Sequence, residues 1–153
     1  MWLVSQHPPL HSYVLAAVAR LTGVREVPLH LAYFAVAGGC AWLMYLLASR
    51  FCSQPVLATL LVVATPGFLV SATNLMADVL LLFFWLLAVW GAVRYGETLQ
   101  PWAIWTASLA ASAAAMTKYF GVAVLPLVAV YVIPRNHRQA GHLLALGLPI
   151  VTL

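Results

Sequence analysis

The chain has 153 residues, of which 65% are hydrophobic and only 7% are charged, and its mean hydropathy is +1.00. A soluble domain of this size needs a polar shell that this composition does not supply, so the sequence indicates an integral membrane protein in contact with membrane lipids. The formal net charge is +4. Because the basic residues stand singly between apolar segments and form no patch, the sequence excludes a nucleic-acid partner.

Residues 1–27 predict an outer-face loop and an interfacial helix rather than a membrane span. The run Pro8–Thr22 is short for a crossing and is interrupted by His11. Pro9 suits the first turn of a helix, where a missing N–H costs little, and Gly23 suits its end. We therefore expect a short helix that lies along the membrane surface.

Residues 28–153 predict about five full spans and a last helix that the chain end cuts short. A transmembrane helix needs about 20 mostly apolar residues, and Lys118 divides the long apolar stretch Trp102–Ile133 into two helices. The other expected segments are Ala32–Ser49, Val56–Thr73, Leu75–Val93 and the truncated run Leu143–Leu153. The expected fold is one all-α polytopic transmembrane helical bundle over residues 1–153, incomplete and therefore a fragment.

Threading the chain through these spans places four arginines on one face of the membrane: Arg50, Arg94, Arg135 and Arg138. By the positive-inside rule this face is cytoplasmic, and Glu97 beside it is expected to be solvated. The loops that carry Asp78 and Lys118, with the segment before Pro28, then lie on the outer face. Function is accordingly expected outside the cytoplasm.

Asp78 and Lys118 are the charged residues that stand out against apolar surroundings. The dipole of its helix would stabilise the Asp78 charge by about 0.3 to 1 kcal/mol, against a penalty of roughly 2.5 to 3.5 kcal/mol at full membrane depth. On this evidence Asp78 is explained equally well as an acid at the membrane boundary and as a functional carboxylate. Lys118, the one lysine of the chain, suits a phosphate ligand, or else it snorkels from a helix end.

His7 and His11 are spaced four apart, as two metal ligands on one helix face would be. Pro8 and Pro9 interrupt that geometry, so a divalent metal ion is a minority alternative and no metal ligand is assigned. The sequence contains no glycine-rich phosphate loop of a known type.

Three motifs occur in order along the chain: HPPL at residues 7–10, LMAD at residues 75–78 and MTKY at residues 116–119. With these motifs the chain resembles the polyprenol-phosphate-sugar-dependent glycosyltransferases of the GT-C superfamily, from about Gln6 to about Pro134. The closest branch is glycosyltransferase family 39, which includes protein O-mannosyltransferases and bacterial enzymes that modify lipopolysaccharide, lipid A or other envelope glycans.

The resemblance implies an inverting sugar transfer on the extracytoplasmic face. The implied donor is a sugar linked to undecaprenyl or dolichyl phosphate, and the acceptor is a lipid, a glycan or a protein. The implied location is the bacterial inner membrane, with the active site facing the periplasm or the exterior. A carboxylate usually serves as base in such a reaction. Because the principal acid of these families lies upstream of the HPPL motif, the fragment alone is expected to be inactive.

Carried onto this sequence, the resemblance implies that Asp78 is catalytic and shapes the site for the acceptor or the donor sugar. Lys118 would neutralise the donor phosphate, which is the leaving group. His7 would line the same cavity, and Tyr119 and His11 would be further substrate-binding residues. We therefore expect Asp78 and Lys118 to open onto one outward-facing cavity near His7.

Two other functions stay open from the sequence. In a transporter or lipid flippase, Asp78 and Lys118 would form a substrate or ion pathway near the membrane midplane. Alternatively, the chain is an inactive fragment of the transferase. The depth of the two charges distinguishes an interfacial enzyme from a transporter.

Overall fold

The computed structural model describes residues 8–133, and this part of the chain is almost entirely helical and holds no strand. The predicted all-α membrane bundle is thereby confirmed. His7, Arg135, Arg138 and the run Leu143–Leu153 lie outside the described residues. In chain order the helices are α1 Leu10–Thr22, α2 Glu26–Phe51, α3 Pro55–Val63, α4 Pro66–Thr73, α5 Ala77–Thr98, α6 Pro101–Thr117, a 3-10 helix Tyr119–Ala123, and α7 Val124–Val132.

The helix α1 matches the predicted N-terminal helix. It begins directly after Pro9 and ends at Gly23, whose φ of +78° lies in the region that glycine adopts without strain. Every residue of α1 is at least partly exposed, and the helix packs against α2 and α6. This exposure fits a helix on the rim of the bundle.

The helices α2 and α5 form the long walls of the bundle, with 26 and 22 residues, and both are long and apolar enough to cross a membrane. They run parallel. The Cys40 thiol on α2 donates to the Val79 carbonyl near the start of α5 at 3.6 Å, and Arg50 meets Glu97 where both helices end. The chain must therefore return between them through α3 and α4.

The return segment is bent, although the sequence predicts one span over Val56–Thr73. The helices α3 and α4 meet at an angle of 64°. Pro66 causes the break, because it lacks an N–H and forces Thr65 into an extended conformation with ψ of 137°. The Thr65 hydroxyl then caps α4 by accepting from the Phe68 N–H at 3.4 Å.

The described residues thus contain two helices of full spanning length, or three spans if the bent pair is one. The remaining apolar helices are shorter, since α6 has 17 residues and Tyr119–Val132 is also under 18. The expected total of about five spans therefore stays a prediction.

The helix α6 lies at the centre of the bundle, antiparallel to α5. Small residues let the two backbones approach closely, and a Cβ at Gly91 would lie 2.9 Å from the Ala107 nitrogen. The buried alanines of α6 are Ala103, Ala107, Ala110, Ala111, Ala114 and Ala115. This close contact fixes the register of α5 against α6, and so the level at which Asp78 and Lys118 meet.

An ion pair closes the opposite end of the bundle. Two oxygens of Glu97 accept from Arg50 Nη1 at 2.8 and 2.9 Å, and Arg94 Nη1 lies 3.8 Å from the same carboxylate. Glu97 is exposed, as the sequence predicted, but it does not lie in a loop, because α5 continues to Thr98 and carries Glu97 in its last turn. Three charged side chains therefore meet at the end where α2 and α5 stop.

Candidate functional site

Asp78 and Lys118 form an ion pair at the other end of the bundle. Asp78 lies in the first turn of α5. Lys118 directly follows α6, where its extended backbone (φ −148°, ψ 145°) ends the helix. Since α5 and α6 are antiparallel, these two ends coincide, and Lys118 Nζ donates to Asp78 Oδ1 at 2.6 Å. The structure thus brings together the two charged residues that the sequence singled out.

The pair is accessible and keeps unused hydrogen-bonding capacity. The side chains are 27% exposed for Lys118 and 44% exposed for Asp78. An ammonium has three donors, of which Asp78 takes one, and a carboxylate accepts several hydrogen bonds. A partly exposed ion pair contributes only about 0 to 1 kcal/mol to stability. A ligand can therefore bind both groups at little structural cost.

Two neighbouring recesses adjoin Asp78, and Leu82 also lines both of them. The bend recess has a volume of about 230 Å³ and lies between Asp78 and the α3–α4 bend, with Thr65, Phe68, Ser71 and Leu82 among its lining residues. The aromatic recess has a volume of about 270 Å³, and Asp78, Leu81, Leu82, Trp85 and Phe120 line it. Asp78 is thus at the edge of a partly polar recess and of an apolar one.

The wall of the aromatic recess is fixed by the 3-10 helix that follows Lys118. The rings of Trp85 and Phe120 stack at 6.0 Å with an interplanar angle of 19°, and the Trp85 indole N–H donates to the Gly121 carbonyl at 3.3 Å. A Cβ at Gly121 would overlap the Ala114 carbonyl group, so the segment packs directly onto the α6 backbone. Sequence reasoning missed Trp85 and Phe120, although Phe120 directly follows the MTKY motif.

The other predicted site residues have different surroundings. His11 Nδ1 and the Tyr33 hydroxyl form a hydrogen bond of 2.7 Å that ties α1 to α2. Tyr33 precedes Cys40 by two helical turns, which puts it about 10 Å beyond the level of Val79. His11 therefore lies at the same end of the molecule as Asp78, further out. Tyr119 follows Lys118 and is 64% exposed. The binding roles of His11 and Tyr119 stay predictions.

Between residues 8 and 133, no three His, Cys, Asp or Glu side chains come together as a candidate metal site. Cys40, the cysteine nearest to the site, donates to a backbone carbonyl. The chemistry that these described residues offer is therefore that of one carboxylate, one ammonium and two adjoining recesses.

Comparisons with known proteins bear on the whole chain. No curated protein and no solved structure matches it significantly. A family model described as dolichyl-phosphate-mannose-protein mannosyltransferase matches residues 6–152, a range that includes the HPPL, LMAD and MTKY motifs. Together with the helical membrane fold, this match makes the protein a membrane glycosyltransferase of the GT-C type. The chain belongs to the dolichyl-phosphate-mannose-protein mannosyltransferase family.

Proposed function

We propose that the protein transfers a sugar, with inversion, from a polyprenyl-phosphate donor to a lipid, glycan or protein acceptor at the outer face of the membrane. The observation that carries this proposal is the Asp78–Lys118 ion pair, which joins a cation and a carboxylate at coinciding helix ends. Both groups are partly exposed, and Asp78 lines two recesses.

In the proposed reaction, an acceptor oxygen or nitrogen attacks the anomeric carbon of the donor sugar. The bond from that carbon to the phosphate oxygen breaks, and its electron pair leaves with the phosphate. Lys118 uses its remaining donors to neutralise the charge that develops there. Asp78 orients the sugar or acceptor hydroxyls, and the acceptor proton passes to a carboxylate. His7, His11 and Tyr119 are proposed to bind the same substrates.

The placement of the charges favours an enzyme over a transporter. Asp78 and Lys118 lie at the ends of α5 and α6, whereas a transport pathway places its charged groups near the membrane midplane. We assign the Asp78 end to the periplasm or exterior of a bacterial inner membrane, because Arg50 and Arg94 cluster at the opposite end.

The test is sugar transfer from a radiolabelled polyprenyl-phosphate sugar in membranes that express the complete reading frame. We expect Asp78→Asn and Lys118→Ala each to lower transfer about 100-fold or more, because each removes a charge from the reacting groups. Glu97→Gln is the matched control, since it disrupts the ion pair at the opposite end of the bundle and should leave transfer near the wild-type rate.

Each alternative outcome has a distinct meaning. Unchanged transfer in both site variants would reject the roles of Asp78 and Lys118. If Glu97→Gln lost as much transfer at matched protein levels, the effect would come from the loss of any ion pair and not from the site. Absence of transfer by the wild type would reject the enzyme proposal and favour the transporter or the inactive fragment.

A further inference from the structure

We infer that the aromatic recess binds the isoprenoid chain of the donor at its phosphate end, so that Phe120 and Trp85 are lipid-binding residues. This inference rests on the proposed function, which supplies a polyprenyl phosphate as the ligand. It assigns to this ligand a site beside the ion pair, in the recess that Trp85 and Phe120 line and not in the neighbouring bend recess, although both recesses include Asp78 and Leu82.

The chemistry of the recess matches a hydrocarbon. Apart from Asp78 at the edge, its lining consists of two leucines and two aromatic rings. The one polar atom of the Trp85 ring is already used, because the indole N–H donates to the Gly121 carbonyl at 3.3 Å. The ring therefore presents apolar surface, and burial of such surface is worth about 25 cal/mol per Å².

The geometry of Phe120 also indicates a binding residue. Its side chain is 67% exposed even though it stacks on Trp85. The backbone beside it is held in place, since Gly121 packs directly against Ala114. A large aromatic ring is thus fixed in an open position, where a ligand gains contact area without first ordering the side chain.

Charge complementarity selects the ligand. Lys118 lies two residues before Phe120 and points to Asp78, which lines the recess. A molecule with an anionic phosphate and an apolar chain would pair its phosphate with the ammonium and lay the first part of its chain on the rings. The volume of about 270 Å³ is below the roughly 300 to 1,000 Å³ of pockets for drug-sized ligands. The recess therefore suits a few isoprene units and leaves the rest of the chain in the bilayer.

The bend recess is a poorer match for this chain. Its lining includes the hydroxyl residues Thr65 and Ser71 in addition to apolar side chains. A hydrocarbon there would cover polar groups without satisfying them, which is unfavourable. The contrast between the two recesses assigns the isoprenoid to the Phe120 side.

The test is titration calorimetry of the purified full-length protein with geranyl phosphate, which has a phosphate and two isoprene units. We expect Phe120→Ala to weaken binding about tenfold, through lost apolar contact, and Phe120→Leu to weaken it less. Phe51→Ala is the matched control, because Phe51 is 66% exposed at the opposite end of the bundle and should bind as the wild type does.

A phospholipid has the same combination of phosphate and apolar chain, so phosphatidic acid forms the second arm of the experiment. We expect Phe120→Ala to leave its binding unchanged. If Phe120→Ala weakens the binding of both ligands equally, the recess is a general lipid site and the inference is overturned. The inference is also overturned if Phe120→Ala binds geranyl phosphate as tightly as the wild type does, or if the wild type does not bind it. Because this binding needs no sugar transfer, its outcome is separable from the test of the proposed function.

Discussion

The Lys118 ammonium does not face a ligand alone, because the Asp78 carboxylate already lies 2.6 Å from it. Any phosphate that binds Lys118 also approaches a negative charge, and the repulsion weakens its binding. The two residues therefore act in opposite directions on phosphate affinity, although both are proposed to support transfer.

This opposition predicts that Asp78→Asn binds geranyl phosphate more tightly than the wild type, by about tenfold at low salt, while sugar transfer falls. Lys118→Ala should lose phosphate affinity. The measurement is calorimetric titration of the three proteins in parallel with Glu97→Gln, which removes the same charge at the far end. Equal affinities for wild type and Asp78→Asn would show that the carboxylate does not oppose the phosphate.

For these two residues, the sequence predicted that Asp78 and Lys118 lie on the same face of the membrane but not that they are in contact. Successive spans cross the membrane in opposite directions, so the number of helices alone is enough to predict that the loops of Asp78 and Lys118 lie on one face. Their direct contact at 2.6 Å depends on the register of α5 against α6, and the hydropathy pattern of the sequence does not specify this register. Trp85 and Phe120 were missed for a related reason, since aromatic residues within apolar runs most often pack in a core.

The register between elements is set where backbones meet, above all at Gly91. A side chain there would press against the backbone of Ala107. We expect Gly91→Ala to destabilise the protein by about 1 to 3 kcal/mol through overpacking, and to lower its thermal unfolding midpoint in detergent. Gly38→Ala is the control, because a Cβ at Gly38 meets nothing within 4 Å. Alanine should be neutral or slightly stabilising there. Equal midpoints for the two variants would contradict this role of Gly91.

The helices themselves were largely predictable, because apolar runs and bounding prolines and glycines mark them. The α3–α4 bend was not predicted, although Pro66 in the middle of an apolar run was an available signal. Hydropathy averages over such a break, since both halves are equally apolar. The bend forms one side of the bend recess, which Asp78 also lines.

For the whole molecule, the parallel α2 and α5 separate two charged ends, and the proposed orientation assigns these ends to opposite sides of the membrane. Cys52 is exposed just after Arg50, whereas Cys40 is buried. A maleimide that cannot cross the inner membrane should label Cys52 only after permeabilisation. In Cys52→Ser with Asn74→Cys, it should label intact cells, because Asn74 is exposed at the end of α4. The reverse labelling pattern would invert the proposed topology.

Lys118 lies between the end of α6 and the start of the 3-10 helix, at the end of the bundle where α5 begins. The exposed side chains that follow it include Phe120, Leu127 and Val130, and in the proposed orientation they face the surrounding lipid. The phosphate of a polyprenyl donor lies in the headgroup region, outside a hydrocarbon core about 30 Å thick. Such a donor would therefore reach the ammonium by lateral diffusion within its own leaflet.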